Sequence, residues 1–247
     1  MQRFLFERKN DKRDYPLLDT KLEQWRLWAL LIFISVATVL WMEMTAALDF
    51  KAYWLEIICD DLIPITLMIT VVMYLSKGKL GGLFGKPRFS DFIFGIVMVL
   101  IQFWYAQFSV TQLGKLGISF GKNASSTQIE NAASKSTQYF QDLFSDIFEL
   151  MGEELLSLVV FLAIAALLIQ YYGLGRRLGL SIALLASMFL FGMIHFQAYN
   201  WNLAQMLIVI AGERFFLTAI FLRSKTIWPS YVCHMLFDAF AFAVSLY

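Results

Sequence analysis

Two cysteines and two histidines are all that this 247-residue chain holds. Cys59 and Cys233 stand far apart, each inside an apolar stretch, which excludes a disulfide framework and a thiolate metal site and implies two buried, reduced thiols. Charge is scarce, at 16% of residues, and twenty Lys and Arg against nineteen Asp and Glu leave a net +1. No strongly basic face therefore offers itself to nucleic acid, and nucleic acid is excluded as a partner. The first 26 residues lack the apolar core and small-residue cleavage site of a signal peptide, so no removed leader is expected. No internal repeat is visible, which argues against an inverted-repeat transporter. Apolar residues are what the chain has in abundance, 59% of the total, with a mean hydropathy of +0.63. That exceeds what a soluble domain of this length can bury and points to the membrane.

A hydrocarbon core about 30 Å thick takes roughly 20 apolar residues at 1.5 Å each. Seven such runs are present, at 27–48, 53–75, 90–110, 147–170, 179–197, 202–222 and 228–247; the second is interrupted by Glu56, Asp60, Asp61 and Pro64. Lys and Arg are retained on the cytoplasmic side of a membrane, so their distribution among the connections tests the count. The N-terminal arm holds seven, the 76–89 connection four, and 171–178 and 223–227 two each, fifteen in all. The alternate connections hold four (Lys51, Lys115, Lys122 and Lys135), and Arg214 is left inside a span. The expectation is an all-α, polytopic transmembrane helix bundle with its N-terminus in the cytoplasm. It divides into a cytoplasmic arm (1–26), three accessory helices (27–110), a polar extracytoplasmic loop (111–146) and a four-helix core (147–247). Within the loop, Tyr139 to Phe144 has the pattern of a short amphipathic helix at the outer surface.

An ionisable group in hydrocarbon costs on the order of 2.5–3.5 kcal/mol, so those that persist usually face the bundle interior and have a task. Both histidines fall in apolar spans, His195 in the fifth and His234 in the seventh. His234 and Asp238 are four apart and share a helix face, where the carboxylate can hydrogen-bond the imidazole and fix its tautomer. Glu153 and Glu154 are adjacent, about 100° apart around the axis, and should not share one role. Glu149 lies on the face of Glu153, and a carboxylate among apolar neighbours suits a general base. Glu213 and Arg214 in the sixth span read as partners in buried ion pairs. The last span contains no lysine, which excludes a retinal Schiff base.

Glu153-Glu154, then Phe191-x-x-x-His195, then His234-x-x-x-Asp238, in that order on three membrane helices, resemble the three motifs of the CPBP family, the CAAX proteases and bacteriocin-processing enzymes, also called Abi. Ile210-Ala-Gly-Glu-Arg214 and Trp228-Pro-Ser230 are similar to its C-terminal half, and the resemblance covers about 147–247. It implies a glutamate-dependent intramembrane endopeptidase acting on a peptide or lipidated peptide near the surface of a lipid bilayer, in a multi-pass protein of a bacterial plasma membrane. Carried over by position, Glu153 is the base, His195 positions the water, and His234 supports the tetrahedral intermediate, with Glu154 and Asp238 completing the set. Two departures stand out. The family's first motif continues to an Arg where this chain has Leu158, so Arg214 or Arg176 would have to balance Glu154. Its third motif often ends in Asn where this chain has Asp238, and an ionised Asp cannot donate a hydrogen bond; either Asp238 orients His234, or it is protonated, or the chain has diverged from proteolysis. No cofactor is required by the glutamate mechanism, although His195, His234 and Glu153 form a ligand set that could hold zinc. The alternative reading is a non-catalytic relative serving bacteriocin self-immunity or acting as a membrane scaffold; the oligomeric state is left open.

Helix rise sets a condition on this reading. With the spans above, Glu153 and His195 lie roughly 24 Å above the cytoplasmic end and His234 roughly 10 Å. They can meet only if the 223–230 turn is lifted into the bundle, which buried irregular backbone permits.

Overall fold

A computed structural model describes residues 3–47 and 52–246. Among these no strand occurs, and seven helices are long and apolar enough to cross a membrane. They are α1 (Gln24–Ala47), α2 (Tyr53–Leu75), α3 (Phe89–Lys115), α5 (Lys135–Tyr171), α6 (Arg176–Ile194), α7 (Gln205–Ser224) and α8 (Ile227–Leu246), with the short α4 (Ala124–Asn131) between α3 and α5. All seven expected spans are therefore present. The expected ends at 48 and 247, and Lys51 of the charge count, lie outside the described residues.

The bundle is built around α5. Some 78% of its most apolar stretch is buried, against 22% for α1 and 28% for α3, because α1, α6 and α8 all pack on it. The apolar outer faces of α1, α2 and α3, with Ile32, Leu40, Leu67 and Leu100 exposed, suit contact with lipid tails. Close helix approach relies on small residues, as is usual where no water drives helices together. A Cβ at Gly192 of α6 would meet the Met206 carbonyl of α7, and one at Gly152 of α5 would meet the Trp41 ring of α1.

The polar segment 111–146 differs from expectation. Helix α3 continues to Lys115, and α5 begins at Lys135, so Tyr139 to Phe144 form part of its first turns rather than a separate surface helix. The physical reason is burial of one polar face: Asp142 and Asp146 turn inward, and the Tyr139 hydroxyl donates to the Ala239 carbonyl of α8 at 3.0 Å. The Ser134 side chain caps the helix by accepting from the Thr137 amide. Cys233 is buried as expected, but Cys59 is half-buried, and both are free thiols.

The N-terminal arm is not a loose tail. Tyr15 and Leu17 are fully buried and Leu22 nearly so, and the arm seals one end of the bundle. The Tyr15 hydroxyl donates to the Leu222 carbonyl at 3.3 Å and the Gln170 amide to the Leu17 carbonyl at 2.7 Å, while Arg176 reaches both Glu7 and Asp14 at 2.7 Å. Arg8 pairs with Asp91, and Lys225 donates to the Arg13 carbonyl. Burial pushes the Glu7 carboxyl up, but hydrogen bonds from Arg176 and the Phe4 amide outweigh it and hold the group below its ordinary value. The arm thus contacts the connections after α2, α5 and α7. These are the segments that the count of basic residues places on one side.

Candidate active site

The depth condition is met by the arm. Ser224, Thr226 and Ile227 are fully buried and Lys225 nearly so, because the arm runs beneath the α7–α8 turn and makes the end of the bundle in its place. The turn is thereby raised into the protein, and α8 starts high enough to carry His234 level with Glu153.

Four of the five motif residues then converge around Glu153. Its carboxylate lies between two imidazoles from different helices, Oε1 at 3.8 Å from His195 Nε2 and Oε2 at 3.8 Å from His234 Nε2. Asp238 Oδ2 is 3.8 Å from the same His234 nitrogen. Each imidazole is held by its other nitrogen. His195 sits at the C-terminus of α6, where Nδ1 is 2.8 Å from the Phe191 carbonyl; a carbonyl only accepts, so Nδ1 carries the proton and Nε2 faces Glu153 with its lone pair. His234 Nδ1 is 3.1 Å from Glu154 Oε1. The expectation that Asp238 fixes the His234 tautomer is corrected: at 3.8 Å Asp238 is beyond hydrogen-bond reach, and Glu154 does this from the opposite side.

Glu154 is fully buried, and so is Arg214 of α7. The guanidinium grips the carboxylate with both terminal nitrogens, Nη1 on Oε1 and Nη2 on Oε2 at 3.2 Å, while Nε donates to Thr218 Oγ1 at 3.2 Å. This supplies the cation missing at Leu158, itself fully buried. Arg176 is at the other end of the molecule with Glu7 and Asp14. A paired carboxylate stays ionised and can only accept, so it fixes the proton on His234 Nδ1. The adjacent glutamates point different ways, as 100° of helix rotation requires: Glu154 faces the core and Glu153 opens to a cavity.

Phe191 explains why an aromatic precedes His195 by one turn. Its ring centroid lies 4.8 Å from that of His195, 6.2 Å from that of His234 and 5.3 Å from Arg214 Cζ, so one side chain spaces three polar groups brought from three helices.

The site opens into a cavity of about 1190 Å³ in the half of the bundle away from the arm. Glu149 and Glu213 line it alongside Glu153, His195, His234 and Asp238. Arg214 and Thr218 complete the site, and only Arg214 had a sequence signal, as a lone cation in an apolar span. As for zinc, no three His, Cys, Asp or Glu among the described residues are disposed to hold a metal ion.

Residues 136–240 match the family model described as type II CAAX prenyl endopeptidase Rce1-like, a stretch that contains all five motif residues. No curated protein and no solved structure matches the chain. The resemblance read from the three motifs is thus borne out at the level of the family, over a segment that starts eleven residues before the one expected. With seven apolar helices and a CAAX-protease family pattern, the chain is an integral, multi-pass membrane protein.

Proposed function

We propose that the chain is an endopeptidase that hydrolyses a peptide bond with water activated by Glu153 and His195. The observation that carries this is the pair of acceptors facing one another: a carboxylate oxygen and an imidazole lone pair, 3.8 Å apart, on separate helices. That separation is too long for a direct hydrogen bond and suits a shared donor. A water about 2.8 Å from each would subtend an angle of roughly 85°, close to what its two O–H groups can serve. Glu153 takes a proton as the water oxygen bonds to the substrate carbonyl carbon, and delivers it to the amine nitrogen as the C–N bond breaks. His234, with Nδ1–H given to Glu154, supports the developing oxyanion through Nε2 when it carries both protons. Glu154 and Arg214 act as positioning residues behind it.

The basic connections and the arm are read as cytoplasmic, so the cavity and its substrate lie toward the outer face. Reporter fusions at Lys79 and Asn131 check the sidedness, with cytoplasmic signal expected at the first and external signal at the second. Substrates carrying a prenyl group and unmodified bacterial peptides both satisfy the chemistry.

The test of the enzyme reading is cleavage of a peptide library by purified protein in lipid nanodiscs. Glu153→Gln should lower turnover by about 10²–10⁴-fold; unchanged turnover removes Glu153 as base. Asp238, where an amide donor would serve an oxyanion better, is the one observation favouring a non-catalytic role in immunity or scaffolding. A cellular phenotype that survives both Glu153→Gln and His195→Ala would establish that role instead.

A further inference from the structure

The cavity that leads to Glu153 is unusual in its charge. Nine of its lining side chains are Asp or Glu, and among the described residues Arg214 is the one Lys or Arg that lines it. That guanidinium is already gripped by Glu154. Helix α5 presents Asp142, Asp146, Glu149 and Glu153 at intervals of three or four residues, hence as one inward ladder. At 1.5 Å per residue the ladder is about 16 Å long, the reach of roughly five residues of extended peptide. Opposite it, the π-helical turn Ile57–Leu62 of α2 turns Asp60 and Asp61 inward.

The second observation is a shortage of donors. Asp146 is 6% exposed and Asp61 1%, and each has a carboxylate oxygen, Oδ2 and Oδ1 respectively, that is buried and receives no hydrogen bond from the protein. Asp60 Oδ1 and Gln102 Oε1, also buried and lining the cavity, are left the same way. All four atoms are acceptors. A ligand that brings hydrogen-bond donors and positive charge matches these oxygens. Among the described residues no three acids are disposed to hold a metal ion, whereas a cationic side chain brings both donors and charge to these oxygens.

We infer that the cavity takes a basic peptide, with a Lys or Arg side chain seated between Asp61 and Asp146. Asp146 precedes Glu153 by seven residues, about 10 Å along α5, so the basic residue stands about three positions from the bond presented to Glu153. This rests on the endopeptidase reading for where the peptide is held, and it adds the class of substrate. A neutral segment brings donors but no charge to these carboxyl groups, and an acidic one would be repelled.

The experiment measures binding rather than turnover. Glu153→Gln protein in zwitterionic phosphatidylcholine nanodiscs is titrated with fluorescent decapeptides that differ only in Lys, Gln or Glu at the third position on either side of a central bond. The Lys peptides should bind at least tenfold tighter than the Gln peptides, and the Glu peptides weakest. Adding Asp61→Asn and Asp146→Asn should remove the preference for Lys over Gln peptides, and Glu149→Gln, tested alone, should reduce that preference partly. Equal affinity for Lys and Gln peptides overturns the inference, as does a preference that persists in the Asn variants, since Asp61 and Asp146 would then not be what seats the basic side chain. Failure of the enzyme reading looks different: Lys peptides bind selectively and the unmutated chain cleaves none of them.

Discussion

Replacing Arg214 by Met tests the logic of the buried pair. Arg214 and Glu154 are both fully buried, and the two-pronged contact between them leaves His234 Nδ1 as the other group facing Glu154. Removing the guanidinium strands a carboxylate where water cannot reach it, a loss of about 3–5 kcal/mol. At 1.4 kcal/mol per tenfold, that is a factor of roughly 10²–10⁴ in the folding equilibrium. Thr218 also loses its Nε donor partner. The double variant Arg214→Met/Glu154→Leu removes both charges, fills the same space with apolar atoms, and should return to within about 1–2 kcal/mol of the unmutated protein. It should not recover hydrolysis. Without the Glu154 acceptor the proton on His234 Nδ1 is no longer fixed, and about 10²–10³-fold in rate should be lost. Stability is read by denaturant titration in mixed micelles, followed by fluorescence of the seven tryptophans. Turnover is measured under conditions where each variant is folded. The coupling between the two substitutions should be at least about 2 kcal/mol. A single variant within about 1 kcal/mol of the parent, a double variant no steadier than the single, or a double variant that cleaves at the parental rate would each refute the reasoning.

Other outcomes follow from the same contacts. Leu158 is fully buried one turn beyond Glu154, so Leu158→Arg alone should destabilise by about 1–3 kcal/mol through overpacking and an extra buried cation. Combined with Arg214→Leu it should restore much of the stability lost in Arg214→Leu, because the new guanidinium reaches Glu154 from its own helix; denaturant titration of the three variants decides. The arm should respond to acid in a defined window. Glu7 is held below its ordinary value of 4.5 in the folded chain, so its contribution is complete above about pH 4.5 and is lost as pH falls through the folded value. Hydrogen exchange of arm amides, normalised to intrinsic rates, should show docking intact from neutral pH to about 4.5 and opening below. Arg176→Gln should open the arm already at neutral pH, and an arm equally protected in that variant would show that the ion pairs do not hold it.

Reading order and helical spacing already contained much of this protein. Apolar runs long enough for a bilayer declare seven helices because hydrocarbon leaves the backbone few other choices, and the alternation of basic residues groups the connections that the arm ties together. The three motifs name Glu153, His195 and His234, since an ionisable group in an apolar span is costly enough to be informative by itself. What linear spacing could not decide is which polar groups face each other across helices. Asp238 has the right interval for His234, yet Glu154, eighty residues away, holds the imidazole, because α5 and α8 cross there and a hydrogen bond needs distance as well as sequence interval. With Leu158 in place of an Arg, the sequence left Arg214 and Arg176 as alternative partners for Glu154, and packing brought Arg214 in from α7. The level of His234 depended on an arm whose polar composition gave no hint that Tyr15 and Leu17 would be buried beneath the α7–α8 turn. Local pattern fixes a helix and its faces; the rotation and height of one helix against another come from packing summed over the whole bundle, which only the folded chain resolves.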